Sequence, residues 1–272
     1  MLARPVEPAS ELDRRSLFVE TALVLGVSLG ASASLSVLSL IRKLTAAAPL
    51  SAQTTSMNQA VTPDRPWLDL AYQTVGIALA LVPVVLALHL LGRDLQARNV
   101  RGRDLRGSVA AMAHVGIDRS GLPRDLSRAA ALTALIGIPG VGLYLAARSL
   151  GLNTTVSTAN LPDVWWAVPI LVLAAAQNAV LEEVIMVGYL FTRWGQAQLP
   201  IVTIIVGSAL IRGTYHLYQG FGGFVGNVVM GLIFGVIYAN TRRVTPLIVA
   251  HLVLDIFAFV GYLVLAPRVG WL

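Results

Sequence analysis

The stretch that decides the fold reads VWWAVPILVLAAAQNAVLEEVIMVGYL and runs from Val164 to Leu190. It is long enough to cross a bilayer as one helix, because about 20 apolar residues span the hydrocarbon core. It nevertheless carries two adjacent carboxylates, Glu182 and Glu183. An ionisable side chain at bilayer depth costs roughly 2.5–3.5 kcal/mol on insertion scales, so this pair needs a structural or a chemical reason.

Composition places the whole chain in a bilayer. Of its 272 residues, 56% are hydrophobic and 12% are charged, whereas a soluble domain carries about 25% charged residues. The absence of cysteine excludes disulfides, thiolate zinc sites and a cysteine nucleophile. The net charge is +6, but the arginines lie between apolar segments, where they act as topology signals. We therefore predict the lipid bilayer as a partner and no nucleic acid.

Apolar segments recur along the chain at the length of transmembrane helices. We predict an all-α, polytopic transmembrane helix bundle of about seven spans, a count that leaves room for an eighth. The predicted spans are Leu17–Ile41, Trp67–Leu91, Ala129–Arg148, Val164–Leu190, Ile201–Leu217, Phe224–Tyr238 and Leu247–Leu265. The segment Leu44–Pro66 is rich in Ala, Ser, Thr and Pro, so we expect a loop outside the membrane there.

Basic residues alternate between the loops that join these spans. The loop at 92–128 holds eight arginines, whereas the loop at 151–163 holds none. Because cytoplasmic loops are the basic ones, we predict a multi-pass protein of the cell membrane with a cytoplasmic N-terminus. We divide the chain into a cytoplasmic N-terminal segment at 1–16, an N-terminal transmembrane region at 17–163 with the Arg-rich cytoplasmic loop, and a catalytic-type transmembrane core at 164–266.

Six polar residues lie at predicted bilayer depth in the C-terminal half. They are Glu182 and Glu183 in the fourth span, Arg212 and His216 in the fifth, and His251 and Asp255 in the seventh. Residues four apart share one helix face, which holds for both pairs that contain a histidine. A carboxylate with two imidazoles can activate water, directly or through a bound metal. The alternative is a polar network that only holds helices together.

Three further ionisable residues lie near the ends of predicted spans. They are Glu20, Asp69 and His89. Side chains at these positions can extend to the membrane–water interface, and we expect them to do so. The first half of the chain therefore has no predicted functional cluster. This asymmetry disfavours a transporter, since carriers usually show repeats and broken helices in both halves.

The six residues also stand in a familiar order. The stretch Leu181–Leu190 resembles the first motif of the CAAX protease and bacteriocin-processing family, which reads E-E-x-x-x-R and is commonly followed by glycine. The stretch Arg212–His216 resembles the second motif, F-x-x-x-H, and His251–Asp255 resembles the third, H-x-x-x-N or D. The resemblance covers about Leu173–Gly261. Each motif is weak alone, but three in order on apolar segments are fairly specific.

This resemblance implies an intramembrane endopeptidase, similar to the type II CAAX prenyl endopeptidases, with eight or nearly eight helices. It implies that Glu182 or Glu183 and His216 activate water, and that His251 and Asp255 hold the oxyanion or complete a metal site. A divalent metal such as zinc, bound by Glu182, His216 and His251, is one option. Glutamate–histidine chemistry without a metal is the other, and the sequence leaves both open.

Two positions depart from the family pattern. Val187 stands where the first motif has arginine, and Arg212 stands where the second has phenylalanine. Two carboxylates in a low dielectric need a nearby cation, because like charges there cannot both ionise cheaply. We hypothesise that Arg212 supplies this charge in place of an arginine at position 187. The alternative is a degenerate first motif in a non-catalytic relative.

We therefore predict an endopeptidase that hydrolyses a peptide bond of a membrane-associated protein or peptide. The alternatives are a proton-coupled membrane transporter and a non-catalytic immunity or scaffold relative. One difficulty concerns depth, since a straight fifth span would place His216 near the far end of the membrane, away from Glu182. A tilted or short fifth helix would resolve this. Non-helical backbone in the Gly-rich run at 220–226, lining a cavity, would be consistent with it.

Overall fold

A computed structural model describes residues 11–98 and 107–265. Residues 1–10 of the predicted N-terminal segment lie outside the described residues. Three arginines of the predicted Arg-rich loop, Arg101, Arg103 and Arg106, also lie outside them. The statements below concern the described part of the chain.

Helices make up nearly all of this part, with two short strands between them. The elements are, in chain order, α1 (Glu11–Gly26), α2 (Leu29–Leu44), β1 (Thr54–Ser56), α3 (Pro66–Ala80), α4 (Val82–Arg98), α5 (Gly107–His114), α6 (Leu122–Ser149), β2 (Thr155–Ser157), α7 (Ala167–Glu182), a π-helical segment (Glu183–Tyr189), α8 (Leu190–Gln196), α9 (Ile201–Thr214), α10 (Phe221–Thr241) and α11 (Thr245–Leu265). Short 3-10 turns cover Leu50–Ala52 and Leu217–Gln219.

The predicted class, a polytopic transmembrane helix bundle, is confirmed, and the span count of seven is approximate. Every predicted apolar segment falls on helix, and five helical stretches of the described chain are long and apolar enough to cross a membrane. A sixth candidate is the pair formed by α1 and α2, which is bent by 58°. Helix α9 has 14 residues and is shorter than a full span.

The bend between α1 and α2 has an identifiable cause. Ser28, between the two helices, has φ −140° and ψ −120°, outside the helical region. Its hydroxyl donates a hydrogen bond of 2.6 Å to the carbonyl oxygen of Val24. Serine hydroxyls that bond to a carbonyl four residues earlier often bend helices.

The loop after α10 and the turn between α5 and α6 meet at one end of the bundle, called the basic end below. Arg243, after α10, donates to Asp125 of α6 at 2.7 Å and to Asp118 at 3.1 Å. The backbone N–H of Val244 donates to the carbonyl oxygen of Val115 at 3.0 Å. Hydrogen bonds from Ser120, and then from Arg243, hold the pKa of the Asp118 carboxyl below its usual range.

The opposite end, called the strand end below, contains the parallel pair β1–β2 and the turns next to it. The pair aligns Thr54 with Thr155 and Ser56 with Ser157. Beside it, the N–H of Thr154 donates to the carbonyl oxygen of Gln219 at 3.0 Å. The predicted loop between the first two spans therefore lies at this end, and it carries β1 and a 3-10 turn rather than being structureless.

The non-helical backbone considered for the Gly-rich run is confined to Gly220. Helix α10 begins at Phe221, so Gly222, Gly223 and Gly226 are helical. Gly220 precedes the helix with φ +117°, a conformation that favours glycine. A Cβ atom at Gly222 would lie 2.5 Å from Cβ of Ala147 in α6. The glycine there allows α10 to pack closely against α6.

Two of the three span-end residues do not extend to the interface as expected. The Glu20 carboxylate accepts hydrogen bonds from the Tyr189 hydroxyl and from Nε of Arg193, both at 2.7 Å. The buried Asp69 accepts bonds from the N–H groups of Val61 and Thr62 at 2.6 and 3.1 Å. Loop amides therefore hold Oδ1 of Asp69 and a buried guanidinium holds Glu20, whereas Oδ2 of Asp69 is buried without a hydrogen-bond partner among the described residues. His89 is exposed, and its extension to the interface stays a prediction.

Candidate active site

The two glutamates share one buried cation, Arg212 of α9. Its Nη2 donates to both carboxylate oxygens of Glu183 at 2.8 and 2.9 Å, and its Nη1 donates to Oε2 of Glu182 at 3.2 Å. The guanidinium also lies over the Phe234 ring, 5.6 Å from its centroid. Arg212 therefore lies within salt-bridge distance of both acids, as the swap hypothesis requires.

Both carboxylate oxygens of Glu183 have hydrogen-bond partners. The residue has 0% relative exposure, and besides the two bonds from Arg212 its Oε1 lies 2.7 Å from Nδ1 of His251. A carboxylate paired with a guanidinium can only accept hydrogen bonds, so we assign the proton of this contact to Nδ1. Glu183 therefore connects α9 to α11 through charged contacts.

Glu182 is the member with a free oxygen. Its Oε2 accepts a hydrogen bond of 2.7 Å from the Tyr215 hydroxyl in addition to the bond from Arg212. Its Oε1 has no hydrogen-bond partner among the described residues, and the residue keeps 8% exposure. Tyr215 and Arg212 thus fix the carboxylate through one oxygen and leave the other available for water or substrate.

His216 lies in the turn after α9, which ends at Thr214. Its Nδ1 is 3.0 Å from the carbonyl oxygen of Arg212. A carbonyl only accepts, so Nδ1 carries the hydrogen and Nε2 keeps its lone pair. The ring lies against Tyr215, with centroids 4.8 Å apart, and stacks on Tyr218 at 6.3 Å.

The short α9 also resolves the predicted difficulty over depth. The helix stops where Arg212 and Tyr215 contact Glu182, so His216 directly follows residues that contact Glu182 and does not lie at the far end of a complete span. His216 interacts electrostatically with Glu182 and with His251. A short helix was one of the two solutions that the sequence allowed.

Asp255 lies at the edge of the cluster. Its Oδ1 is 3.7 Å from Nε2 of His251, one turn earlier on α11. Its Oδ2 is 3.5 Å from Nδ2 of Asn178, which donates from α7. The third predicted motif therefore contributes one histidine in direct contact with Glu183 and one carboxylate at a longer distance.

The ligand atoms suited to a metal come from a different trio than predicted. Glu182, Glu183 and His251 each offer one ligand atom, and these atoms lie within 4.8 Å of one another. Glu183 replaces His216 in the predicted set. Two carboxylates and one imidazole suit zinc, so this trio could hold a divalent cation. Both oxygens of Glu183, however, already accept bonds from Arg212. As arranged, the trio does not fit a metal unless the guanidinium moves.

A π-helical segment follows the glutamates directly. It covers Glu183–Tyr189, and all its residues are buried. The Ser208 hydroxyl on α9 donates a bond of 2.8 Å to the carbonyl oxygen of Met186 within the segment. π-Helical segments are rare in proteins, and those that occur are often found at functional sites.

Two contributors to the site were missed at the sequence level. Asn178 lies four residues before Glu182 on the same helix, so its spacing could have indicated a shared face. Tyr215 lies in the turn after α9, where helical periodicity gives no signal. Its role is visible only from its contact with Glu182.

Comparison with known proteins supports the resemblance read from the three motifs. Residues 164–257 match the family model described as type II CAAX prenyl endopeptidase, Rce1-like. All six polar residues of the site lie within this segment. Comparison with curated proteins and with solved structures found no match. Helices α1 to α6 lie outside the matched residues.

Proposed function

We propose that this protein is an intramembrane endopeptidase that hydrolyses a peptide bond of a membrane-associated protein or peptide. One observation carries the proposal. Glu182 is held through Oε2 by Tyr215 and Arg212, its Oε1 has no hydrogen-bond partner among the described residues, and His216 follows Tyr215 directly in the chain. A carboxylate arranged in this way can accept a proton from water. The match to the endopeptidase family model supports the same class of reaction.

In the proposed mechanism, a water molecule donates one hydrogen bond to Oε1 of Glu182 and another to Nε2 of His216. This leaves an oxygen lone pair directed at the carbonyl carbon of the substrate. As the C–O bond forms, Glu182 takes one proton from the water. Glu182 then delivers this proton to the departing amine nitrogen when the C–N bond breaks. Arg212 and Tyr215 keep the carboxylate in one orientation throughout.

The developing oxyanion needs a hydrogen-bond donor on the other side of the peptide. We assign this role to His251 in its imidazolium form, in which Nδ1 donates to Glu183 and Nε2, near Asp255, carries the second hydrogen that the oxyanion accepts. Donors aimed at the oxyanion typically contribute about 10²–10³ in rate. Asp255 and Asn178 are then positioning residues that orient the His251 ring.

The orientation in the membrane follows from charge. Arg243 and the described C-terminal part of the Arg-rich loop, at 115–125, lie together at the basic end, whereas the strand end carries few charges. We propose that the basic end and the N-terminus face the cytoplasm, as the positive-inside rule requires. The protein would then act in the cell membrane.

The test is cleavage by the purified protein in liposomes, with products identified by mass spectrometry. Two substrates are offered, a prenylated peptide with a C-terminal CAAX sequence and a membrane-anchored peptide without a prenyl group. We expect Glu182→Gln to abolish cleavage and the exposed-carboxylate control Asp64→Asn to retain it. A chelator with zinc add-back tests the metal option.

The same liposomes test the alternatives. A pH-sensitive dye inside the vesicles would report proton movement by a transporter. Proton flux that depends on Glu182 without any cleavage would favour the transporter. A folded wild-type protein with neither activity would favour a non-catalytic relative, and cleavage by Glu182→Gln at the wild-type rate would refute the mechanism.

A further inference from the structure

His216 is held by a turn rather than by a helix. Of the six polar residues of the site, five lie on α7, the π-helical segment, α9 or α11, and His216 alone lies between α9 and the 3-10 turn Leu217–Gln219. The position of its Nε2 atom therefore depends on the backbone of this turn. Whatever fixes the turn also fixes the distance between His216 and Glu182.

The backbone of Tyr218, two residues after His216, is held from both sides by α2. Its N–H donates to the Ser36 hydroxyl oxygen at 2.7 Å. Its carbonyl oxygen accepts hydrogen bonds from Nζ of Lys43 and, at 3.1 Å, from the hydroxyl of Thr55. Ser36 and Lys43 are seven residues apart, so they lie on one face of α2.

Lys43 is buried in an arrangement that is costly for stability. It has 6% relative exposure, and its hydrogen-bond partners among the described residues are a hydroxyl of Thr55 and the carbonyl of Tyr218. Burial of an ammonium group without a carboxylate leaves much of its desolvation cost uncompensated. An apolar residue would pack at lower cost, which suggests that the charge serves another purpose.

The contacts continue from Tyr218 to the reacting groups. The Tyr218 ring stacks on His216, and the other neighbour of His216 is Tyr215, whose hydroxyl donates to Glu182. A shift of the turn would move His216 relative to Glu182. A misplacement of about 1 Å in an active site can cost 10²-fold in rate.

We propose that Ser36 and Lys43 of α2 are positioning residues for His216, so that α2, outside the segment matched by the family model, is required to complete the active site. This inference rests on the proposed function, because it assigns His216 a role in water activation. It predicts that changes at these two positions lower kcat while leaving substrate binding almost unchanged.

The kinetic test compares matched variants on the same helix. Lys43→Met and Ser36→Ala should lower kcat about 10- to 100-fold with little change in KM. Arg42→Met and Ser34→Ala remove the neighbouring exposed cation and hydroxyl, and they should behave as wild type. Lys43→Arg keeps the charged donor and should recover part of kcat. Thermal unfolding of each variant identifies any loss of fold.

A second measurement does not depend on activity. The chain has 4 histidines, and ¹⁵N NMR of labelled histidine, assigned with His216→Asn, reports the protonation of each ring nitrogen. Wild type should show one fixed His216 tautomer with hydrogen on Nδ1. Lys43→Met and Ser36→Ala should show tautomer averaging, whereas Arg42→Met should not.

The outcomes separate the two proposals. A wild-type protein that cleaves nothing, with a His216 signal that still depends on Lys43, would overturn the proposed function and retain the positioning role. An active wild type with Lys43→Met and Ser36→Ala equal to their controls in kcat and in NMR would overturn the positioning role. If Lys43→Met does not fold, the kcat and the His216 NMR signal of Ser36→Ala alone test the positioning role.

Discussion

Tyr215 donates its phenolic hydrogen to Oε2 of Glu182 across 2.7 Å. The same oxygen accepts a second hydrogen bond from Arg212 at 3.2 Å. Two donors on one carboxylate oxygen fix the rotamer of Glu182 and direct the remaining negative charge toward Oε1. In the proposed mechanism, the Tyr215 hydroxyl thereby leaves Oε1, rather than Oε2, as the oxygen of Glu182 that accepts a hydrogen bond from water.

Tyr215→Phe is expected to lower kcat about 10- to 100-fold without loss of fold. A hydrogen bond to a charged group contributes about 1.5–3 kcal/mol, and each 1.36 kcal/mol corresponds to a factor of ten in rate. Steady-state cleavage in liposomes measures the change, and Tyr72→Phe, at an exposed tyrosine, is the control. An unchanged kcat would mean that the hydroxyl does not orient the base.

Substitutions of the two glutamates should have different effects, one on the rate of cleavage and the other on stability. Glu182→Gln is expected to lower kcat about 10²–10⁴-fold, the typical contribution of a general base, with the fold retained. Glu183→Gln removes the charge between Arg212 and His251, which should lower the free energy of unfolding by about 3–5 kcal/mol. Cleavage assays and thermal unfolding separate the two effects. Equal stability of both variants would contradict the assignment of Glu183 as the structural partner.

Arg212→Leu is expected to lose both activity and stability. It leaves two buried carboxylates without their cation, and breaking a buried pair typically costs about 3–5 kcal/mol. Arg124→Leu, at an exposed arginine, is the control. The double variant Val187→Arg with Arg212→Phe restores the family pattern and should recover much of the activity, because position 187 lies about one helical turn after Glu183. Normal cleavage by folded Arg212→Leu would refute the swap.

Arg193→Leu should affect stability and spare catalysis. Arg193 has 0% side-chain exposure and contacts Glu20 at 2.7 Å and Asp94 at 2.6 Å, which joins α8 to α1 and α4. We expect a lower unfolding temperature, with the kcat of the folded fraction unchanged because the guanidinium touches no residue of the site. Arg14→Leu is the exposed control. A drop in kcat at unchanged stability would show that this contact also acts on the site.

The hydropathy of the chain and the motifs within it predicted most of the helices and the residues of the candidate site. The apolar segments are largely helical, and the two departures from the family pattern, Val187 and Arg212, led to the expectation that Arg212 meets the glutamates. The end of α9 at Thr214 was not predictable with certainty, since the residues that follow are also largely apolar. The π-helical segment was invisible because its one-residue change of register leaves the apolar pattern intact.

Other parts of the structure depend on tertiary contacts that a local pattern cannot encode. A lysine after an apolar span usually marks the membrane–water interface, so the sequence around Lys43 does not indicate that this side chain is buried. Its burial follows from the approach of Tyr218, which is distant in sequence. Glu20 was likewise assigned to the interface because its partner Arg193 lies 173 residues away.

The link between Lys43 and Tyr218 also orders events during biosynthesis, because the two residues are 175 positions apart. At a translation rate of about 5–20 residues per second, the ribosome makes Lys43 roughly 10–35 s before Tyr218. Throughout that interval the ammonium group lacks its carbonyl partner, so α2 cannot complete its docking. His251 emerges later still, so the proposed active site is incomplete in a nascent chain until α11 has been made.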